Sequence, residues 1–393
     1  MGDSSPSCPF WWCYLTKVLL LAPKDVAGGI ATWAKIFCQN ARSVEIQVID
    51  TARRGLHLGD RNWRKRIWHG AKSATRRIVI VTATCAAPRR RPDVVYLTCS
   101  PDLGLWLRDF ALILLLRILQ VPIVVHLHGG SASGFFGRSR LARFVSGTVY
   151  RRVAAVIAIT RCVRDRALEI VSADRVHLIP NMLEAGDVAL VQSVQCRPTS
   201  PNALRVLHVG WQAAEKGTFD VMAIAGVMQN MCFRLVGPIS PSVRAAIEAV
   251  LVEQRQENVT FTGELFGPAL KFEYESADIF LFPSHGEGFP MVILEAMKFA
   301  LPIVATDVGA IKDILAPEGA PAAGIVIPMK SAAVDRTGIV RALGHLQADC
   351  GRRATLGETG RSRVTTEYTP SRIVPELERI LLRAARSRGR VPR

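Results

Sequence analysis

Short apolar runs recur along the chain, separated by polar or glycine-bearing stretches. In the first half they are Lys17–Ala22, Val44–Ile49, Ile78–Thr82, Val94–Leu97, Ile123–Leu127 and Val153–Ile159. Runs this short, bounded by turn residues, predict buried parallel strands. Lys17–Ala22 ends in the turn Pro23–Gly29, and a helical pattern follows from Ile30 to Cys38. Residues 180–201 hold no long periodic segment and contain Pro198 and Pro201, which marks a linker. A second series then begins, with strands predicted at Arg205–Val209, Cys232–Val236, Val259–Phe261, Ile279–Phe282, Ile303–Ala305 and Gly324–Ile327. Helices are predicted at Val221–Met228, Pro241–Val252 and Met291–Phe299. Strands alternating with helical stretches build βα units on parallel sheets, so the fold class is α/β with two successive Rossmann-like domains.

The 393 residues are enough for about two domains at roughly 100–200 residues each. The expected divisions are a tail over 1–15, a first domain over 16–190, a linker over 191–202 and a second domain over 203–366. A helix over 367–386 and a basic tail over 387–393 complete the chain. With 49% hydrophobic residues, broad disorder is excluded.

The net charge of +17 is unevenly placed. Residues 1–200 carry +15, residues 201–351 carry −5 and residues 352–393 carry +7. A basic front and tail around an acidic middle suit two domains with different partners, the basic part attracting polyanions or an anionic membrane. Arg61–Trp68 mixes cations with tryptophans, which suits a membrane interface, although a solvated basic face reads the same way. The nine cysteines form no C-x-x-C pair and read as small buried hydrophobes in a reducing compartment, not as a zinc site. The longest apolar stretch, Leu103–Val125, is broken by Arg108, Asp109 and Arg117, so it predicts no spanning helix. Phe10–Ala22 lacks a basic flank and a cleavage site, so no targeting segment is expected.

The most informative stretch is Pro283–Asp313. The strand Ile279–Phe282 runs into a glycine-containing loop, and Pro290 fits the first turn of the next helix, where its missing N–H is harmless. A helix N-terminus after a parallel strand is a ready anion site. Two carboxylates beside it, Glu287 and Glu295, do not favour phosphate and are better explained as acceptors for sugar hydroxyls. Glu287 taken alone could equally be a solvated residue at a helix cap.

The spacing E-G-F-P-x4-E from Glu287 to Glu295 resembles the signature of the family 4 (group 1) retaining glycosyltransferases. The surroundings agree: Phe282-Pro283-Ser284 before it, Glu295-Ala296-Met297 within it, then Leu301–Ala305 and Gly309. The resemblance runs from about Lys17 to Tyr368 and implies the GT-B fold, two Rossmann-like domains facing a central cleft. It implies that Glu295 binds ribose hydroxyls and Glu287 a hydroxyl of the donor sugar. Gly288, Phe289 and Pro290 would offer backbone amides to the sugar and phosphates, with Met291 and Val292 continuing the contact. Val209–Gly217 matches the family's G-R-x-x-x-E-K-G turn, so Gly210 and Lys216 would meet the donor diphosphate. Two positions depart from the family pattern: Trp211 replaces the usual Arg, and Ala300 replaces a Gly. Gly28 and Gly29 match the glycine turn after the first strand. His126 and His128 lie two apart on one strand and so share a face, and His128 would line the cleft. Ile179-Pro180-Asn181 would end the last strand of the first domain. Phe261–Leu265 would line the nucleotide base, with Leu265 in contact.

The implied activity is metal-independent transfer of a hexose, with retention, from a UDP- or GDP-sugar to a hydroxyl of a glycan or lipid-linked acceptor. The implied setting is bacterial cell-surface polysaccharide or glycolipid synthesis. His128, Lys216 and Glu287 are the catalytic candidates. No resident cofactor and no metal are expected, since the nucleotide-sugar is a co-substrate. The expected location is cytoplasmic, peripheral on an anionic membrane surface, with no nucleic-acid partner. A nucleotide-sugar epimerase of the same architecture and a basic nucleic-acid-binding protein are the alternatives.

Overall fold

The computed structural model describes residues 15–26, 28–52, 75, 77–99, 103–130, 132–137, 139–184, 203–254 and 256–387. Arg61–Trp68 and the predicted linker 191–202 lie outside them. The first sheet holds β1 (Thr16–Ala22), β2 (Val44–Asp50), β3 (Val94–Cys99), β4 (Ile123–Leu127), β5 (Ala155–Ala158) and β6 (Val176–Leu178), all parallel, in the order β2-β1-β3-β4-β5-β6. The second holds β7 (Leu204–Val209), β8 (Met231–Val236), β9 (Val259–Gly263), β10 (Ile279–Phe282), β11 (Ile303–Thr306) and β12 (Gly324–Ile327). Its strands are also parallel, in the order β12-β11-β10-β7-β8-β9. Two parallel α/β sheets are therefore present, as the pattern of apolar runs predicts.

The alternation of side chains along a strand explains the layers. In β1, Leu19 and Leu21 join one buried cluster while Val18, Leu20 and Ala22 join another on the opposite face. Fully burying a Leu is worth about 1.5–3 kcal/mol, so such a run belongs inside a sheet covered on both faces, not at an exposed edge. The second sheet is likewise covered by two clusters, with Phe280 and Phe282 on one face and Ile279 and Leu281 on the other.

The prediction of a strand at Ile78–Thr82 is corrected: residues 77–86 are helical. Val79 and Ile80 are exposed, whereas Val81 and Cys85, four residues apart, are fully buried. A single buried stripe at helical spacing outweighs the β-branched composition. Leu103–Val125 divides into a helix, Leu103–Ile118, and the start of β4, and among the described residues no helix is long and apolar enough to cross a membrane. The cysteines divide too: Cys85 and Cys99 are buried, but Cys162, Cys232 and Cys350 are exposed.

The helix Pro370–Arg386 crosses back onto the first sheet. Ile373, Leu377, Ile380 and Leu381 lie in the same cluster as Val18, Leu20 and Trp33. Glu378 fixes the crossing, because its Oε1 accepts from the backbone N–H groups of Arg42 (2.6 Å) and Ser43 (2.5 Å). Ala300, where the family pattern has Gly, holds φ of +54° at the end of the helix Met291–Lys298. An alanine pays about 1–2 kcal/mol for that left-handed conformation, which explains why glycine suits the position.

Candidate active site in the cleft between the domains

The strand order of the second sheet reverses direction between β7 and β10, and that of the first between β1 and β3. Open α/β sheets bind ligands at such a switch point, beyond the carboxyl ends of the strands. The loops leaving β7 and β10 carry Lys216 and Glu287, and the loop leaving β1 carries Gly28 and Gly29. These loops face each other. Met291 Cγ approaches to 3.4 Å of where a Cβ on Gly29 would lie. The N-terminal turns of two helices, Gly29–Asn40 and Met291–Lys298, thus converge, and neither receives a hydrogen bond from its N-cap side chain. Two uncapped N-termini directed into one space favour an anion between them. Pro290 is the N-cap of its helix and not a residue of its first turn.

Lys216 Nζ donates to Glu287 Oε1 at 2.7 Å, and Ser284 Oγ donates to the same oxygen at 2.8 Å. Glu287 is nearly buried, at 10% side-chain exposure, while Lys216 keeps 32%. The pair is therefore fixed by the carboxylate and open on the ammonium side. The backbone holds it there. His285 N–H donates to the Glu215 carbonyl at 3.0 Å, and Gly217, at φ of +81°, packs so closely that a Cβ would overlap the Pro283 carbonyl. Gly210 begins this turn at φ of +156°, and Trp211 beside it is 46% exposed. Glu295 lies about one turn into the helix Met291–Lys298, where Tyr274 Oη donates to its Oε2 at 2.7 Å. Burial raises the Glu295 carboxyl above its ordinary value, and the Tyr274 hydrogen bond opposes that rise.

Contacts between the domains surround this site. Asn181 Nδ2 donates to the Phe289 carbonyl at 3.2 Å, and Leu183 N–H to the Tyr368 carbonyl at 2.9 Å. Arg161 and Asp313 form an exposed ion pair at 3.0 Å. A Cβ on Gly130 would overlap the Glu287 carbonyl, and one on Gly309 would overlap the carbonyls of both Glu287 and Gly288. Gly288 packs less tightly against Gly129, whose Cα would lie 3.1 Å from a Cβ on Gly288. The Glu287–Gly288 backbone is thus gripped from both domains by residues without side chains. Phe289 is buried, Val292 is half-buried, and Leu265 is half-buried against the same cluster as Phe289.

His128 lies at the cleft end of β4, and its ring centroid is 3.9 Å from that of His126. Trp33 covers both rings, and Tyr96 Oη lies 2.9 Å from His126 Nδ1. Burial pushes the His128 imidazole down to about 3; His126 is held well below its ordinary value by burial and then by the charge of His128. His208 falls to about 4 through burial, which outweighs a raising hydrogen bond to the Leu281 carbonyl. At neutral pH His128 is therefore an uncharged hydrogen-bonding group. Below about pH 6.5 the unfolded chain takes up protons that these folded histidines refuse, so stability is lost as the pH falls. The loss is on the order of 1 kcal/mol per pH unit for each histidine. The melting temperature is expected to drop steeply from pH 6.5 to pH 5, and a flat melting temperature over that range would contradict the neutral buried state.

The site residues expected from sequence are thus gathered at one cleft, from the loops after β1, β4, β7, β9 and β10. Tyr274 and Trp33 carry no mark in the sequence, while Ser284 and Gly130 stand in recognisable stretches and gain their contacts with Glu287 only in the structure. Tyr274 sits in the helix Gly267–Ser276 with no distinguishing spacing, and only its contact with Glu295 marks it.

Two family models match the chain, and they cover most of each domain. Residues 203–348 match glycosyl transferases group 1, and residues 32–182 match the glycosyl transferase 4-like domain. The chain belongs to the group 1 glycosyltransferases. It is 30% identical over 122 residues to a GDP-mannose-dependent alpha-mannosyltransferase of Mycolicibacterium smegmatis, covering 31% of this chain and 30% of that protein. It is 23% identical over 203 residues to a putative teichuronic acid biosynthesis glycosyltransferase of Bacillus subtilis, covering 50% and 49%. The chain thus spans half or less of these relatives' length. In fold it resembles Anabaena Alr3699/HepE, solved in complex with UDP, with a TM-score of 0.67 at 15% identity over 93% of this chain and 100% of that one. The GT-B architecture implied by the motifs is the one observed.

Proposed function

We propose that this group 1 glycosyltransferase moves a hexose, with retention, from a nucleotide-sugar to a hydroxyl of a glycan or lipid-linked acceptor. One observation carries the reading: the Lys216–Glu287 pair stands at the switch point beneath two converging helix N-termini. Those N-termini and Lys216 suit a diphosphate, while Glu287 and Glu295 suit sugar hydroxyls. The GDP-mannose dependence of the mycobacterial relative and the UDP complex of the Anabaena protein support a nucleotide-sugar donor. The name of the Bacillus relative supports a surface polysaccharide as the product class.

In the proposed step the bond from the anomeric carbon to the diphosphate oxygen breaks and a bond to the acceptor oxygen forms on the same face. The acceptor proton passes to the departing diphosphate. Negative charge grows on that diphosphate, where Lys216, the Gly29 backbone and the helix beginning at Met291 stabilise it. His128, neutral, hydrogen-bonds a sugar hydroxyl. Closure of the domains excludes water, which would otherwise hydrolyse the donor. No step calls on a metal or a resident cofactor. The basic first domain suits docking on the cytoplasmic face of an anionic membrane.

Product analysis with and without acceptor tests the reaction: an acceptor-dependent α-glycoside supports it, and a changed sugar without acceptor makes the chain an epimerase. Salt-sensitive DNA binding without transfer would favour the nucleic-acid reading. The donor assignment has its own test. Glu295→Ala is expected to weaken nucleotide binding by about 1–3 kcal/mol, and Tyr274→Phe by about 0.5–1.5 kcal/mol. The Tyr274→Phe loss is expected to grow as the pH is lowered, because removing the hydrogen bond lets burial raise the Glu295 carboxyl further. Calorimetry with the verified donor nucleotide measures both, and wild-type affinity in Glu295→Ala would remove that residue from the site.

A further inference from the structure

The two helical layers on the first sheet differ at their outer surfaces. One holds the helices Gly29–Asn40 and Pro370–Arg386, which share a buried cluster through Trp33, Phe37, Ile373 and Leu377. Neither of these exposes a large apolar side chain. The other layer holds the helices 77–86, Leu103–Ile118 and Arg140–Tyr150, joined through Val81, Ile113 and Tyr150. Among the described side chains the first two expose two large apolar groups each, and the third exposes three. Apolar groups gathered on one outer layer mark an interaction surface.

The helix Arg140–Tyr150 shows what that surface takes. Leu141, Phe144 and Val145 stand three and four apart and so form one stripe, 72%, 70% and 38% exposed. The helix meets its own core through other positions: Val149 and Tyr150 are buried, and Ser146 Oγ donates to the Phe135 carbonyl at 3.4 Å. Arg140 and Arg143, three apart, border the stripe, and neither guanidinium has a hydrogen-bonding or ionic partner among the described residues. The helix contains no carboxylate. Apolar side chains beside unneutralised cations need an occupant that is greasy and anionic together. A second copy of the chain, seated on this stripe about a two-fold axis, would set the arginines against their own copies. A bilayer of anionic lipid meets both needs, its acyl boundary taking the apolar side chains and its phosphates the guanidiniums. The basic excess of residues 1–200 favours the same surface.

We propose that the helix Arg140–Tyr150 is where the chain docks on an anionic phospholipid surface. Leu141, Phe144 and Val145 enter the boundary between headgroups and acyl chains, and Arg140 and Arg143 pair with lipid phosphates. The helix lies in the crossover from β4 to the parallel strand β5, so its first turns stand toward the carboxyl edge of the sheet, the edge that carries His128. An acceptor held in the same bilayer is thereby presented to the cleft. On the transferase reading, on which this last step rests, a lipid-linked acceptor is favoured over a free glycan. The docking itself does not need that reading.

The test is sedimentation of the full chain with vesicles of phosphatidylglycerol and phosphatidylcholine, against vesicles of phosphatidylcholine alone. Binding is expected to the mixed vesicles and to weaken as salt is raised. Leu141→Gln with Phe144→Gln leaves the net charge at +17 and is expected to weaken binding at least tenfold, which a purely electrostatic attachment would not show. Arg140→Glu with Arg143→Glu is expected to act in the same direction and serves if the first variant fails to fold, a wild-type melting temperature showing that each is folded. Vesicle binding unaltered in both double variants, or absent from the wild-type chain, overturns the proposal. Self-association that Leu141→Gln with Phe144→Gln abolishes, without vesicle binding, overturns it in favour of a second copy. Transfer is measured separately. Both variants are expected to lose transfer to a lipid-linked acceptor in vesicles and to keep transfer to a water-soluble one. A wild-type chain that sediments with the vesicles but transfers to neither acceptor would end the transferase reading and leave the docking in place.

Discussion

Lys216→Ala is expected to slow glycosyl transfer by about 10²-fold or more, the size of losing one preorganised charge at a departing diphosphate. The structure adds a second consequence. Lys216 is also the cation on Glu287, whose carboxylate is nearly buried and would keep, among the described residues, the Ser284 hydroxyl as its side-chain partner. Removing the lysine therefore perturbs the proposed sugar ligand as well as the diphosphate. The losses in Lys216→Ala and Glu287→Ala are accordingly expected not to add, and the double variant is expected to be scarcely slower than the worse single one. Lys216→Arg is expected to restore only part of the rate, because a planar fork replaces a compact charge. Steady-state kinetics of the four variants with a verified donor measure this. Full additivity would separate the two residues, and wild-type turnover in Lys216→Ala would end the diphosphate role.

Gly130→Ala is expected to cost a comparable factor with no charge or hydrogen bond removed. Its Cβ would overlap the Glu287 carbonyl across the cleft, and neither loop can yield alone, because Gly309 packs against the same carbonyl from the other side. The domains must then sit about 1 Å further apart at this point, and a misplacement of that size near the chemistry costs on the order of 10²-fold. Nucleotide affinity is expected to change little, since the proposed ribose ligand Glu295 and the diphosphate cation Lys216 belong to the second domain and the first contributes only the backbone at Gly29. A fall in kcat with an unchanged nucleotide Kd supports the gripping contact. Wild-type kcat in the variant would show that closure tolerates the methyl.

The contrast between these two substitutions follows from where their evidence lies. Lys216 is conspicuous in sequence, because a lysine at a strand-to-helix glycine turn is a local pattern. Gly130 belongs to a Gly-Gly pair after a strand, which reads as a turn; its constraint is a backbone more than 150 positions away.

The chain by itself determined the alternation of apolar runs, and with it two parallel α/β sheets, because a strand buried on both faces must be apolar throughout. It determined the loop from Pro283 to Pro290 and both acidic candidates, since their spacing is fixed by the turn and helix that carry them. The run at Ile78–Thr82 shows the limit of such reading. Its β-branched residues favour a strand, and only the presence of a core beneath Val81 and Cys85, with none above Val79 and Ile80, makes it a helix. Tertiary structure alone decided which partners the candidates have: Lys216 on Glu287, Tyr274 on Glu295, Asn181 on the Phe289 carbonyl. The physical reason is range. Propensity and periodicity act over a few residues, whereas pairing and packing depend on which segments the strand order brings side by side.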